Sequence, residues 1–160
     1  QAGDTIALDV LRNGKKKSLT LTTFVRDGET KVRIGVILLA DFTPPMPITF
    51  GLEGVGGPSA GLAFSLALVD KLDGEDLVRS RVIAVTGEIS SEGVVGAIGG
   101  IPQKLASAAR AGASLVLIPR ANCPVSPELI PPELTVVPVD TLTQAVAVLK
   151  ARSASAYPTC

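Results

Sequence analysis

At 160 residues the chain is long enough for one compact domain that buries a core without metal or disulfide staples. An apolar share of 46% and a charged share of 19% are those of a globular protein rather than a disordered one. Fifteen basic residues balance fifteen acidic ones and aromatics make up 3%, which removes the electrostatic and stacking grounds for nucleic acid or an anionic membrane surface.

The chain opens on Gln1 rather than methionine and is expected to be a fragment or processed form. No apolar run approaches the roughly 18 residues of a membrane span and no signal peptide is seen, so an anchor or export signal is expected to belong to a parent protein. Residues 6–12 and 18–26 alternate apolar and polar and read as strands joined across Asn13-Gly14-Lys15-Lys16-Lys17; Asn-Gly is a hairpin signal, and the lysines solubilise the turn. Residues 30–40 read as another strand, with Val32, Ile34 and Val36 on one face and Lys31 and Arg33 on the other. Pro44, Pro45 and Pro47 break it; a short strand over 48–52 then leads into a glycine loop from Gly54 to Gly57.

Residues 59–72 read as a helix apolar almost all round, which belongs at a domain centre. A strand over 81–86 follows, then a glycine-spaced stretch with a tight hairpin or bulge around Ser90 to Gly93. Residues 102–111 form a helix opened by Pro102 and closed by Gly112. Buried strands are expected over 115–118 and 134–139, and a last helix over 141–151 starts on a capping box of Thr141 and Gln144. Cys123 and Cys160 permit one disulfide tying down the tail, or two unrelated thiols. Strands alternating with helices behind a strand-only start make the fold class α+β, a mixed α/β arrangement.

Ser59 stands in Gly57-Pro58-Ser59-Ala60-Gly61, the G-x-S-x-G setting of an exposed nucleophile. The chain has no histidine, so no Ser-His-Asp triad can be built from it. The proton of an attacking Ser59 must go to a lysine kept neutral by burial, or to a carboxylate of raised pKa. A serine before an apolar helix is also an ordinary N-cap. Gly56, Gly57 and Gly61 nevertheless strip side chains from both sides of Ser59, and N–H groups at a helix start face a developing oxyanion.

Of the seven lysines, Lys15 to Lys17 fall in the hairpin turn, Lys31 on a polar strand face, and Lys71 and Lys150 at helix ends, where cations belong. Lys104 falls on the apolar stripe of Ile101, Leu105, Ala108, Ala109 and Gly112. There it is either desolvated toward the neutral amine or lays its stem along the core with the ammonium in water. Residues 51–59 are no Walker loop, since no Gly-Lys-Ser/Thr follows, and Gly54-Val55-Gly56 lacks the third glycine of a dinucleotide fingerprint. No metal site is apparent without histidine and with the cysteines out of ligand spacing. Pro58 to Ser65 resembles the phosphate loop of GHMP-type metabolite kinases, where a loop opens a helix that cradles ATP phosphates, although Leu66 stands where that family has a second serine.

Three blocks occur in order: Gly57-Pro58-Ser59-Ala60-Gly61-Leu62-Ala63, then Thr86-Gly87-Glu88-Ile89, then Gly96-Ala97-Ile98-Gly99-Gly100-Ile101 with Lys104 five residues after Gly99. Through them the chain resembles the proteolytic domain of Lon-type proteases over roughly residues 31–150. The resemblance implies a mixed sheet packed on helices, Ser59 as nucleophile, Lys104 as base, and Thr86 as a hydroxyl that helps hold the lysine. The backbone around Gly57, Pro58 and Ala60 is expected to serve the oxyanion. The chain departs from classical Lon proteases at Gly56, where they carry an acidic residue, at 48–50, where they carry histidines, and in having no Walker motif.

In the form Val55-Gly56-Gly57-Pro58-Ser59 it is more similar to stand-alone bacterial proteases that couple a PDZ domain to a Lon-like domain behind a membrane anchor. That likeness implies a C-terminal remnant of a PDZ-like domain over 1–27, a Lon-like proteolytic domain over 28–152 and a tail over 153–160. The expected function is ATP-independent serine endopeptidase acting on protein or peptide substrates, with no cofactor, no nucleic acid and no ATP. Self-association is left open, and the parent protein is expected to be extracytoplasmic and membrane-anchored. The alternatives are a catalytically silent peptide-binding or scaffolding module and a GHMP-kinase-like phosphate-binding domain.

Overall fold

The opening hairpin forms around the shortest turn its sequence allows. β1 (Thr5–Arg12) and β2 (Lys15–Thr22) pair antiparallel with Arg12 opposite Lys15. Asn13 and Gly14, at φ 54° and 73°, supply the left-handed pair that a two-residue turn needs. Lys15 to Lys17 therefore belong to β2, not to the turn as expected. β3 (Phe24–Val25) and β4 (Val32–Arg33) make a second antiparallel pair.

The computed structural model describes residues 1–37, 44–49, 51, 57–151 and 153–160, and contacts divide the chain into two units, Gln1–Ile48 and Thr49–Cys160. The boundary expected at 27/28 lies inside the first unit. Of the strand expected over 30–40, only Val32–Arg33 is paired among the described residues, and 38–40 lie outside them. Ile48 and Thr49 are not in a strand, while Phe50, Leu52 and the loop from Gly54 to Gly56 lie outside the described residues.

The second unit is layered. Its elements in order are α1 (Gly61–Asp73), β5 (Ile83–Val85), β6 (Glu88–Ile89), β7 (Val95–Gly96), α2 (Ile101–Arg110), β8 (Leu115–Pro119), β9 (Thr135–Val139) and α3 (Leu142–Lys150). β5, β8 and β9 form a parallel sheet with β8 in the centre, and β6 pairs antiparallel with β7. All five residues of β8 are buried, as a strand covered on both faces requires.

Alternation along β8 separates two cores. Leu115 and Leu117 join Leu62 and Leu66 of α1 and Ala145, Val148 and Leu149 of α3. Val116 and Ile118 point the other way, to Ile101, Leu105 and Ala108 of α2. Helices thus cover both faces of the sheet, and each fully buried leucine such as Leu117 contributes about 1.5–3 kcal/mol. α2 keeps Gln103, Ser107 and Arg110 exposed, the polar side that the stripe predicts.

The mixed α/β class is the one expected. The hairpin foreseen around Ser90 to Gly93 is the β6–β7 ribbon. α3 is capped as foreseen at its first turn: Thr141 Oγ1 accepts from the Gln144 N–H at 3.1 Å. The return bond reaches one residue further back than in a capping box, with Gln144 Oε1 accepting from the Asp140 N–H at 2.6 Å. Among the described residues no helix is long and apolar enough to cross a membrane.

Candidate active site

Ser59 lies in a 3-10 turn, Pro58–Ala60, that runs straight into α1. Gly57 enters this turn at φ 93° and ψ 155°, a backbone region that is essentially glycine's alone. Pro58 follows with its fixed φ. Among the described residues no side chain caps the turn or the helix, so the N-cap role open to Ser59 in the sequence is not the one it plays. Its hydroxyl accepts a hydrogen bond from Lys104 Nζ at 3.3 Å.

The carbonyl of Ser59 is held twice, by the Gly87 N–H at 2.9 Å and by the Thr86 hydroxyl at 3.2 Å. The Gly87 carbonyl in turn accepts from the Leu62 N–H at 3.0 Å, satisfying one donor of the α1 N-terminus. These bonds need a close approach of α1 to the chain leaving β5. A Cβ on Gly87 would stand 2.9 Å from Val95 Cγ1 and 3.3 Å from Leu62 Cδ2, and one on Gly61 would stand 3.0 Å from Ile89 Cγ2. Larger residues at either place would lift the serine turn away from Thr86.

Lys104 stands in the first turn of α2, half-buried, with its N–H on the Gly100 carbonyl at 3.1 Å. α1 and α2 cover opposite faces of the sheet, so Ser59 and Lys104 meet only beyond a strand end. That end is the carboxyl end of β5, where Thr86 and Gly87 follow Val85. Parallel sheets place their sites at such ends, because helix starts and loops converge there. Thr86 is 6% exposed, so the anchor of the serine turn is shielded from water. An amine within reach of a hydroxyl can take its proton when neutral and return it when charged.

Three residues singled out in the sequence, Ser59, Lys104 and Thr86, are therefore neighbours. The Thr86 bond runs to the Ser59 carbonyl rather than to the amine. Of the expected oxyanion backbone, Pro58 has no N–H, and the Ala60 N–H reaches the Gly57 carbonyl at a long 3.4 Å. Cys123 and Cys160 are joined as a disulfide. Two contributors went unforeseen. Gly87 was legible in principle from its place between Thr86 and Glu88. Asn122, whose side chain bonds Ile98, sits in a loop with no pattern to mark it.

Residues 48–151 match the family described as the Lon protease (S16) C-terminal proteolytic domain. The chain is 33% identical over 165 aligned positions to the Lon protease of Chloroflexus aurantiacus, covering 91% of this chain and 20% of that protein. It is 30% identical over 135 positions to that of Endomicrobium trichonymphae, covering 75% and 17%. Identity rises to 53% over 66 positions with that of Methylocella silvestris, covering 41% and 8%. The chain spans about a fifth of the length of the relatives it matches most broadly.

Proposed function

This chain belongs to the Lon protease (S16) family of serine-type peptidases, and on that premise we propose that it is an ATP-independent endopeptidase working through a Ser59–Lys104 dyad. The observation that carries the reading is the 3.3 Å contact between Lys104 Nζ and Ser59 Oγ in a chain without histidine. Neutral Lys104 takes the Ser59 proton as the oxygen attacks a peptide carbonyl, then gives that proton to the departing amine. A water molecule, deprotonated by the same amine, releases the acyl group from Ser59. Main-chain N–H groups between Gly57 and Ala60 stabilise the oxyanion, each such donor contributing about 3 kcal/mol. Thr86 and Gly87 hold the nucleophile's own carbonyl.

No step of this dyad chemistry consumes a nucleotide. Substrates are protein or peptide chains, and no cofactor takes part. We extend the reading to the parent protein as a PDZ-like remnant over 1–27, a proteolytic domain over 28–152 and a tail over 153–160. In this reading a membrane anchor elsewhere in the parent protein holds it outside the cytoplasm. The β1–β2 hairpin supports the remnant, and the Cys123–Cys160 disulfide supports an oxidising compartment.

Hydrolysis of casein and of a fluorogenic peptide tests this. Ser59→Ala and Lys104→Ala should each lower turnover at least on the order of 10³-fold, and unchanged turnover in either refutes the dyad. A requirement for added ATP overturns the independence.

A further inference from the structure

We infer that Asn122 is a positioning residue for Lys104, acting through the main chain of Ile98; the inference rests on the Ser59–Lys104 reading above. The four residues 97–100 connect β7 to α2, so their path decides where the first turn of α2, and with it Lys104, stands. Ile98 is held there on both main-chain groups by one side chain. Its N–H donates to Asn122 Oδ1 at 3.0 Å, and its carbonyl accepts from Asn122 Nδ2 at 2.8 Å. A carboxamide offers a donor and an acceptor in one plane, as a peptide group does. The pair therefore reproduces a rung of a sheet ladder at a place where, among the described residues, no strand pairs with Ile98.

Asn122 is itself well fixed. It ends the 3-10 turn Arg120–Asn122 directly after β8, the buried central strand. Its successor Cys123 is bonded to Cys160. Arg120 Nε donates to Asp140 Oδ2 at 2.8 Å, and a second guanidinium nitrogen donates to the Thr159 carbonyl at 3.0 Å. The amide thus references the start of the lysine helix to the central, fully buried strand of the sheet. The Lys104–Ser59 contact needs such a reference. At 3.3 Å it already lies at the long end of the hydrogen-bond range, so a shift of about an ångström ends it.

The test compares the native chain with Asn122→Asp and Asn122→Ala, with Ser59→Ala as the blank. It measures kcat and KM on a peptide, amide hydrogen exchange at Ile98 and Leu117, and the Nζ–Oγ separation in crystals. Asp keeps an acceptor for the Ile98 N–H but opposes its carbonyl, so both variants should act alike. Turnover should fall on the order of 10²-fold with KM within about twofold. Ile98 exchange should accelerate with Leu117 unchanged, and Nζ should leave hydrogen-bond reach of Oγ. Native kcat in either variant overturns the inference, as does equal loss of protection at Leu117, which marks general loosening. If the native chain hydrolyses nothing, the peptidase reading falls; the positioning claim then stands or falls on the crystals, and an unchanged Nζ–Oγ separation in Asn122→Ala refutes it.

Discussion

Thr86→Val separates a hydroxyl that anchors the serine turn from one that holds the lysine. Thr86 is buried and its hydroxyl donates to the Ser59 carbonyl at 3.2 Å. Valine keeps the shape, so no cavity opens, and the Ser59 carbonyl keeps the Gly87 N–H at 2.9 Å, so no acceptor is orphaned. The loss is then one ordinary hydrogen bond, about 1 kcal/mol, a drop of a few degrees in Tm for a unit of this size. If that bond holds Ser59 for attack, the same energy appears in the barrier and kcat falls about fivefold, with KM little changed. Thr86→Ser retains the hydroxyl and should turn over near the native rate, although the lost methyl costs up to about 1 kcal/mol of stability. Peptide kinetics and thermal melts on the two variants decide it. Native kcat in the valine variant, or equal impairment in both, refutes the anchoring argument. A displaced pH–rate profile in Thr86→Val assigns the hydroxyl to Lys104 instead.

Gly57→Ala meets no atom within 4 Å, so its whole cost is the backbone at φ 93°. A melt should show about 1–3 kcal/mol lost together with reduced turnover, and a fully active variant of native stability contradicts the stated geometry. Gly87→Ala pushes a methyl against Val95 and Leu62, both buried, and should cost about 1–3 kcal/mol by overpacking. Gly99→Ala, with open space and no positive φ, should be neutral or slightly stabilising; the reverse order in denaturant titrations would contradict the packing. Cys160→Ser opens a bond between residues 37 apart in sequence and should cost about 3–4 kcal/mol by chain entropy, read as a lower Tm that reductant imposes on the native chain but not on the variant.

Features set within a few residues are legible in the sequence alone. Asn13-Gly14 announced its turn through left-handed propensity, and the stripe of α2 announced both its buried side and the odd position of Lys104. The absence of histidine excludes a triad and leaves an amine or a carboxylate to take the serine's proton. The same local logic misassigned Lys15 to Lys17 to the turn, because nothing in a lysine run says that strand pairing starts at once after a two-residue loop.

The contacts that make the site lie further apart along the chain. Thr86 and Ser59 are 27 residues apart, Asn122 and Ile98 24, Lys104 and Ser59 45. Periodicity says which side of a helix is apolar, but not which face of the sheet that side will cover. Ser59 could equally have capped α1, and Thr86 could have turned to the amine. Those choices fell to the packing of α1 and α2 on opposite faces of β8, which brings their first turns together over the end of β5. Side-chain patterns carry information over a helical turn or a strand repeat; the meeting of two helix starts past a strand end is a property of the assembled layers.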